Sequence, residues 1–119
     1  MIGGPGTGRV FARAAPTDLR LGFAGLSGLV RRELGKDLLE GDWFLFVSRR
    51  RDSARVLRWD GTGLVLVAKR LAGRRFAPVW ARVEGGAVRL SMGELLLFLE
   101  GVEVRAAGSG SAKKARSSA

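Results

Sequence analysis

The residues best suited to chemistry in this 119-residue chain are arginines on either side of one predicted hairpin. Asp60-Gly61-Thr62-Gly63 is a strong turn signal, so the strand that ends at Trp59 is expected to return as Leu64 to Leu71. This register pairs Trp59 with Leu64 and brings two groups of arginines together at the open end of the hairpin. The six arginines are Arg49, Arg50, Arg51, Arg70, Arg74 and Arg75.

This concentration of like charge is tolerable in water and becomes favourable when a polyanion neutralises it. A guanidinium group binds phosphate through two hydrogen bonds, and a two-stranded ribbon fits the major groove of DNA. Phosphate contacts give affinity without sequence recognition. We therefore predict a nucleic-acid-binding surface of the six arginines, supported by Arg55, Arg58 and Lys69. A solvated surface that keeps the protein soluble is the alternative interpretation.

The composition excludes several classes of site. Histidine and cysteine are absent, which removes the commonest general base, thiolate metal sites, disulfides and cysteine nucleophiles. The spacing of the aspartates Asp18, Asp42, Asp52 and Asp60 matches no recognised metal-binding set. We expect no enzymatic activity, no cofactor and no metal. Seventeen arginines and four lysines against 11 acidic residues give a net charge of +10, which favours an acidic partner such as nucleic acid.

The glycine-rich start of the chain does not predict a phosphate-binding loop, because no Lys-Ser or Lys-Thr pair follows Gly8. The segment from Met1 to Thr7 has no features of a secretory signal. No apolar run reaches the roughly 18 residues that a membrane helix needs. We expect a cytoplasmic protein without membrane contact.

The first predicted helix spans about residues 18–34. Thr17-Asp18 is a suitable N-cap, and Gly35 a suitable C-cap. Five apolar residues recur at helical spacing on one face: Leu19, Phe23, Leu26, Val30 and Leu34. Gly22, Gly25 and Gly28 form a smooth ridge, which we expect to pack closely on a sheet.

The predicted strands differ in how many of their faces are apolar. The segment Trp43 to Val47 is apolar at every position, so we expect cover on both sides. One face of the hairpin is a predicted core face and carries Leu57, Trp59, Leu64, Leu66 and Ala68. The other face is mixed and expected to be solvated; it carries Val56, Arg58, Val65, Val67 and Lys69. Trp59 is therefore interpreted as a core residue and not as a platform for base stacking.

A second helix is predicted over about residues 91–100, where Ser91 and Glu94 have capping-box spacing. It is apolar nearly all round, which is typical of a buried or interface helix. Together with Trp43, Phe44 and Phe46, it offers more apolar surface than one small core is expected to bury. We predict an α+β fold, with an antiparallel sheet of four or five strands against these two helices. Residues 1–104 form the predicted domain, and 105–119 a disordered basic tail.

Several segments, taken in order, resemble one protein family. They include Lys69-Arg70-Leu71 and Leu99-Glu100-Gly101, and also a set of motif residues nearer the N-terminus and in the hairpin. The motif residues are Asp18, Arg20, Gly22, Phe23, Trp59, Asp60, Gly61 and Gly63. Over about residues 5–104, the chain is similar to the small accessory protein of IS66-type bacterial insertion sequences. That protein is called TnpB or Orf2 and is unrelated to the RNA-guided nuclease of the same name.

The resemblance implies a protein that is encoded beside a separate transposase and is needed for transposition of the element. It implies no established biochemical activity. Two hypotheses follow for this chain. In the first, it is an accessory factor that binds DNA, with the element ends as its expected target. In the second, it is an adaptor that docks on the transposase through the apolar second helix.

Overall fold

The computed structural model describes residues 8–81 and 86–102. Five strands and two helices make up the fold. In chain order these are β1 (Val10–Arg13), α1 (Gly22–Arg32), β2 (Trp43–Val47), β3 (Ser53–Trp59), β4 (Leu64–Arg70), β5 (Ala87–Leu90) and α2 (Met92–Leu99). Short 3-10 turns at Leu19–Leu21, Leu38–Glu40 and Val79–Ala81 join some of them. The glycine-rich segment 1–7 and the predicted tail 105–119 lie outside the described residues.

The strands form one sheet in the order β4-β3-β2-β1-β5. β1 runs parallel to β2, and the other neighbouring pairs are antiparallel. The predicted hairpin register is confirmed, since Trp59 pairs with Leu64 and Leu57 with Leu66. The α+β class and the five-stranded sheet are confirmed as well. The parallel pair was not predicted, because its two strands are separated by the whole of α1.

Both faces of the sheet are covered, which confirms the expectation for β2. Phe44 and Phe46 are fully buried on the α1 side, whereas Leu45 and Val47 are fully buried on the α2 side. The two phenylalanines therefore add nothing to an exposed apolar surface, contrary to our expectation.

The two faces of the hairpin are buried differently from the prediction. Val56 is buried on the face that was expected to be solvated, because loop and α2 residues cover that side of the sheet. Ala68, expected in the core, is exposed, because β4 is an edge strand that projects beyond α1. Trp59 is half-buried.

The first helix begins later than predicted. Asp18 caps the 3-10 turn Leu19–Leu21, and α1 starts at Gly22, whose φ of +67° breaks the helical path. Phe23 is consequently 49% exposed and not a core residue. A Cβ atom on Gly25 would meet the Leu21 side chain at 2.5 Å, so that glycine packs against the 3-10 turn and not against the sheet.

The helix α2 lies on the other face of the sheet. The predicted capping box is present, with Ser91 and Glu94 bonding each other's backbone N–H. Phe98 is fully buried and stacks on Phe76, from the loop after β4, with ring centroids 4.9 Å apart. On the outer face, Leu96 is 58% and Leu97 51% exposed. The helix is therefore buried on one side only.

Candidate nucleic-acid interface

The strand directions bring three chain segments to one end of the sheet. β1, β2 and β4 end there, and β3 begins there. The Thr17 N–H donates to the Val47 carbonyl at 2.9 Å, and the Leu71 N–H to the Asp52 carbonyl at 2.9 Å. We call this region the basic end. It carries Arg20, Arg49, Arg50, Arg51, Arg70, Arg74 and Arg75, with the carboxylates Asp18 and Asp52. Arg13, the last residue of β1, also lies there and is paired with Glu33 at 2.7 Å.

Arg49 and Arg50 occupy the tip of the turn between β2 and β3. The turn is closed by the Arg51 N–H donating to the Ser48 carbonyl and by the Ser48 N–H donating to the Ser53 carbonyl. Both tip arginines are exposed. Within residues 8–81 and 86–102, neither has a hydrogen bond or an ion pair. They are available to an outside anion.

Arg51 has a structural role that the sequence did not indicate. Its backbone adopts a φ of +63°, which a residue with a side chain rarely does. Its Nη1 donates to the Phe76 carbonyl at 2.9 Å, and the Phe76 N–H donates to the Arg51 carbonyl at 2.6 Å. Arg51 thus fastens the loop after β4 to the turn before β3.

We expect Arg51→Ala to lower the free energy of unfolding by about 1–2 kcal/mol, because the buried Phe76 carbonyl loses its charged donor. Arg50→Ala removes an exposed side chain and is expected to change it by less than about 0.5 kcal/mol. Urea denaturation of the two variants measures the difference. Equal stability of the two variants would contradict the structural role of Arg51.

The loop after β4 supplies the second group of arginines. Arg70 is 77% exposed, with its Nη2 3.9 Å from an Asp52 carboxylate oxygen. Arg74 donates from Nη2 to the Gly101 carbonyl at 2.9 Å, beyond the end of α2. Arg75 is exposed and has no polar partner among the described residues. Arg70, Arg74 and Arg75 line a shallow cleft of about 540 Å³, and Asp52 is also part of its lining.

The three supporting residues are not all at the basic end. Lys69 is exposed on β4, next to Arg70. Arg55 lies on the α1 side of β3, where its Nη1 approaches the Ala54 carbonyl at 3.5 Å. Arg58 stacks over the Trp43 ring at 4.2 Å, about 17 Å along the strand from Ser53. Lys69 and Arg55 thus lie within two residues of the Ser53–Arg70 pair, on opposite faces of the sheet, whereas Arg58 lies away from the basic end.

Arg20, a residue of the family motif that was not predicted to bind nucleic acid, also lies at the basic end. The parallel pairing of β1 with β2 carries the segment 16–19 against Arg49 and Arg50, around a cleft of about 380 Å³. Asp18 accepts from Arg20 twice, Nε to Oδ1 and Nη2 to Oδ2, both at 3.0 Å. The Arg20 side chain is nevertheless 91% exposed. No short-range sequence pattern predicts that Arg20 lies near Arg49 and Arg50, because their proximity depends on the order of the strands in the sheet.

The pKa of Asp18 is lowered to about 2, chiefly by the side-chain hydrogen bonds from Arg20. A lowered carboxyl pKa means that the pair stabilises the fold above the ordinary pKa and loses this contribution as pH falls through about 2. We expect Arg20→Gln to raise the pKa of Asp18 towards its ordinary value. Carboxyl carbon NMR titration measures it.

Asp60 is the internal control for that titration. Its pKa is also lowered, but by hydrogen bonds from the Thr62 backbone and hydroxyl and from the Gly63 N–H in the hairpin turn. Arg20→Gln should leave the Asp60 titration unchanged. A variant in which the Asp18 pKa stays low would show that Arg20 is not its cause.

The opposite end of the sheet is rich in carboxylates. Asp37, Glu40, Asp42 and Asp60 lie there. The Arg9 guanidinium donates to both oxygens of the buried Asp42, at 3.0 and 2.9 Å, and lies 3.5 Å from Glu40. Arg31 and Lys36 line a cleft near that end, and neither has a salt bridge among the described residues. What distinguishes the basic end is therefore its larger number of exposed arginines.

The described residues show neither a metal-binding cluster nor a membrane-spanning helix. They contain no group of three or more acidic residues placed to hold a metal ion. None of their helices is sufficiently long and apolar to cross a membrane.

Comparison with known proteins identifies one family. The family model described as "IS66 Orf2 like protein" matches residues 8–109. Two uncharacterized proteins of Sinorhizobium fredii (strain NBRC 101917 / NGR234) are similar in sequence. Protein y4hO is 37% identical over 97 residues, covering 82% of this chain and 83% of the relative. Protein y4jC is 36% identical over 101 residues, covering 84% of this chain and 85% of the relative. No solved structure is significantly similar.

Proposed function

This chain belongs to the IS66 Orf2-like family and is thus an insertion-sequence-associated protein, and from that premise we propose that it binds DNA without catalysing a reaction, as an accessory factor in transposition. The observation that carries the proposal is the basic end of the sheet. There Arg49, Arg50 and Arg75 are exposed without a polar partner among the described residues. Arg70 is 77% exposed and lies 3.9 Å from the Asp52 carboxylate.

The dimensions of this end suit a duplex. Neighbouring strands lie about 4.8 Å apart, so the segments that extend β1, β2 and β4 span about 14 Å. Phosphates on one DNA strand advance about 3.4 Å along the axis per nucleotide. The basic end thus spans about four base-pair steps along the axis of a duplex. Four of its exposed arginines, Arg49, Arg50, Arg70 and Arg75, are proposed to contact phosphates.

A salt titration tests the proposal. Binding of the full chain to labelled duplexes, of element-end and of random sequence, is followed by fluorescence anisotropy at several salt concentrations. Four phosphate contacts predict a log–log slope of about −4, and each further contact, such as Lys69, adds about −1. Binding that does not depend on salt, or no binding at about 0.05 M salt, would refute the proposal.

A second candidate function is that of an adaptor for the transposase. Leu96 and Leu97 form an exposed apolar pair on α2, away from the core residues Leu95 and Phe98. If α2 docks on the transposase, the two proteins co-purify after nuclease treatment, and Leu96→Ser with Leu97→Ser abolishes this. Leu39→Ser is a matched control, since Leu39 is also exposed but lies at the other end of the sheet. Co-purification that needs intact DNA would contradict the adaptor function.

A further inference from the structure

We propose that Arg20 reads a guanine base and so confers sequence preference on the DNA binding proposed above, on which this inference rests. A guanidinium group has five N–H donors. Asp18 engages the Nε donor and one donor of Nη2. Both donors of Nη1 and the second donor of Nη2 remain, and they form the outer edge of the side chain.

The outer edge of Arg20 matches one base. Two neighbouring arginine donors fit the N7 and O6 acceptors that guanine presents in the major groove, and this is the commonest specific contact between proteins and DNA. The side chain is 91% exposed, so an approaching duplex meets it without rearrangement. Two hydrogen bonds from Arg20 to Asp18 favour one orientation of the guanidinium group, which lowers the conformational entropy lost on binding.

A phosphate group is a poorer partner for this particular arginine. The Asp18 carboxylate, half-exposed and negatively charged, lies 3.0 Å from the Arg20 donors. A phosphate bound to Arg20 would therefore also be repelled by Asp18, whereas a base edge carries no net charge. Arg49 and Arg50 have no carboxylate at hydrogen-bonding distance among the described residues. Arg49 and Arg50 are therefore suited to phosphate contacts, and Arg20 to a contact with a base.

The position of Arg20 in the chain is consistent with a base contact beside the phosphate contacts of Arg49 and Arg50. It extends from the 3-10 turn Leu19–Leu21, which follows the segment lining a cleft with Arg49 and Arg50. Phosphate contacts by those two arginines would fix the register of the protein on the duplex, and a neighbouring side chain would then reach the groove.

Selection from a pool of random duplexes, followed by sequencing of the bound fraction, tests the inference. The wild type is expected to enrich guanine at one position by about 5- to 150-fold over other bases. Arg20→Lys keeps the charge but lacks the two-donor edge, so it should lose the enrichment while the salt slope changes by less than 1. Asp18→Asn replaces one acceptor oxygen by an amide donor, so Arg20 loses one of its two hydrogen bonds and the enrichment should fall. Arg49→Gln with Arg50→Gln should weaken binding to all sequences equally.

Each other outcome has a definite meaning. Binding by the wild type without guanine enrichment would overturn this inference and leave the proposed function standing. Unchanged enrichment in Arg20→Lys would do the same, because it would assign the base contact to another residue. No binding at low salt would overturn both. Circular dichroism of each variant confirms that the fold is retained, as expected for an exposed side chain.

Discussion

Replacing Arg49 and Arg50 together by glutamine is expected to weaken duplex binding about 60-fold at about 0.1 M salt. Each arginine that contacts a phosphate releases counterions, so the observed affinity scales with salt to the power of about −0.9 per contact. Two lost contacts should also make the log–log slope shallower by about 2. Because both residues are at the tip of a turn and exposed, the fold should be unaffected.

The matched control for this experiment is Arg31→Gln with Arg32→Gln. It removes the same two charges from exposed positions in the last turn of α1. Arg31 lines a cleft with Trp59 and Leu64, near the opposite end of the sheet. We expect this control to weaken binding only slightly, through net charge. Equal losses in the two double variants would contradict a localised interface and would indicate attraction by overall charge alone.

Phe76→Ala is expected to lower the free energy of unfolding by about 3–5 kcal/mol. Phe76 is fully buried and stacks on Phe98 of α2, so truncation leaves a cavity between the loop and the helix. A domain of this size is stable by about 5–15 kcal/mol, so the variant should be marginal. Urea denaturation, followed by the fluorescence of Trp43 and Trp80, which pack against the same core, measures the change.

Phe76→Leu retains most of the volume and should cost less than about 1.5 kcal/mol. The comparison also bears on binding, because Phe76 anchors the loop that carries Arg70 and Arg75. Under conditions in which Phe76→Ala remains folded, its duplex affinity should fall further than that of Phe76→Leu. An alanine variant within 1 kcal/mol of the wild type would show that the loop is not anchored by this ring.

Local signals predicted the hairpin correctly. Asp60 accepts three hydrogen bonds within its own turn, so the turn type and the β3–β4 register follow from a few neighbouring residues. The capping box at Ser91 is similarly local and was predicted correctly. The hairpin register places Arg70 near the turn of Arg49 and Arg50, as anticipated.

The remaining features depend on contacts between distant parts of the chain. The parallel pairing of β1 with β2, which brings Arg20 to the basic end, is specified by no short motif. Helical spacing placed Phe23 on the core face, but the positive φ of Gly22 divides the segment and turns Phe23 outward. The use of Arg51 in binding the Phe76 carbonyl follows from tertiary packing alone.

Amide NMR of the labelled chain, titrated with a short duplex at low salt, tests the location of the interface most directly. If DNA binds at the basic end, the largest chemical-shift changes are expected in residues 17–20, 48–52 and 70–76, which form it. The turn 60–63 and the segment 37–42, at the carboxylate-rich end, should hardly change. Maximal changes at that opposite end, or small changes spread evenly over the sheet, would contradict DNA binding at the basic end.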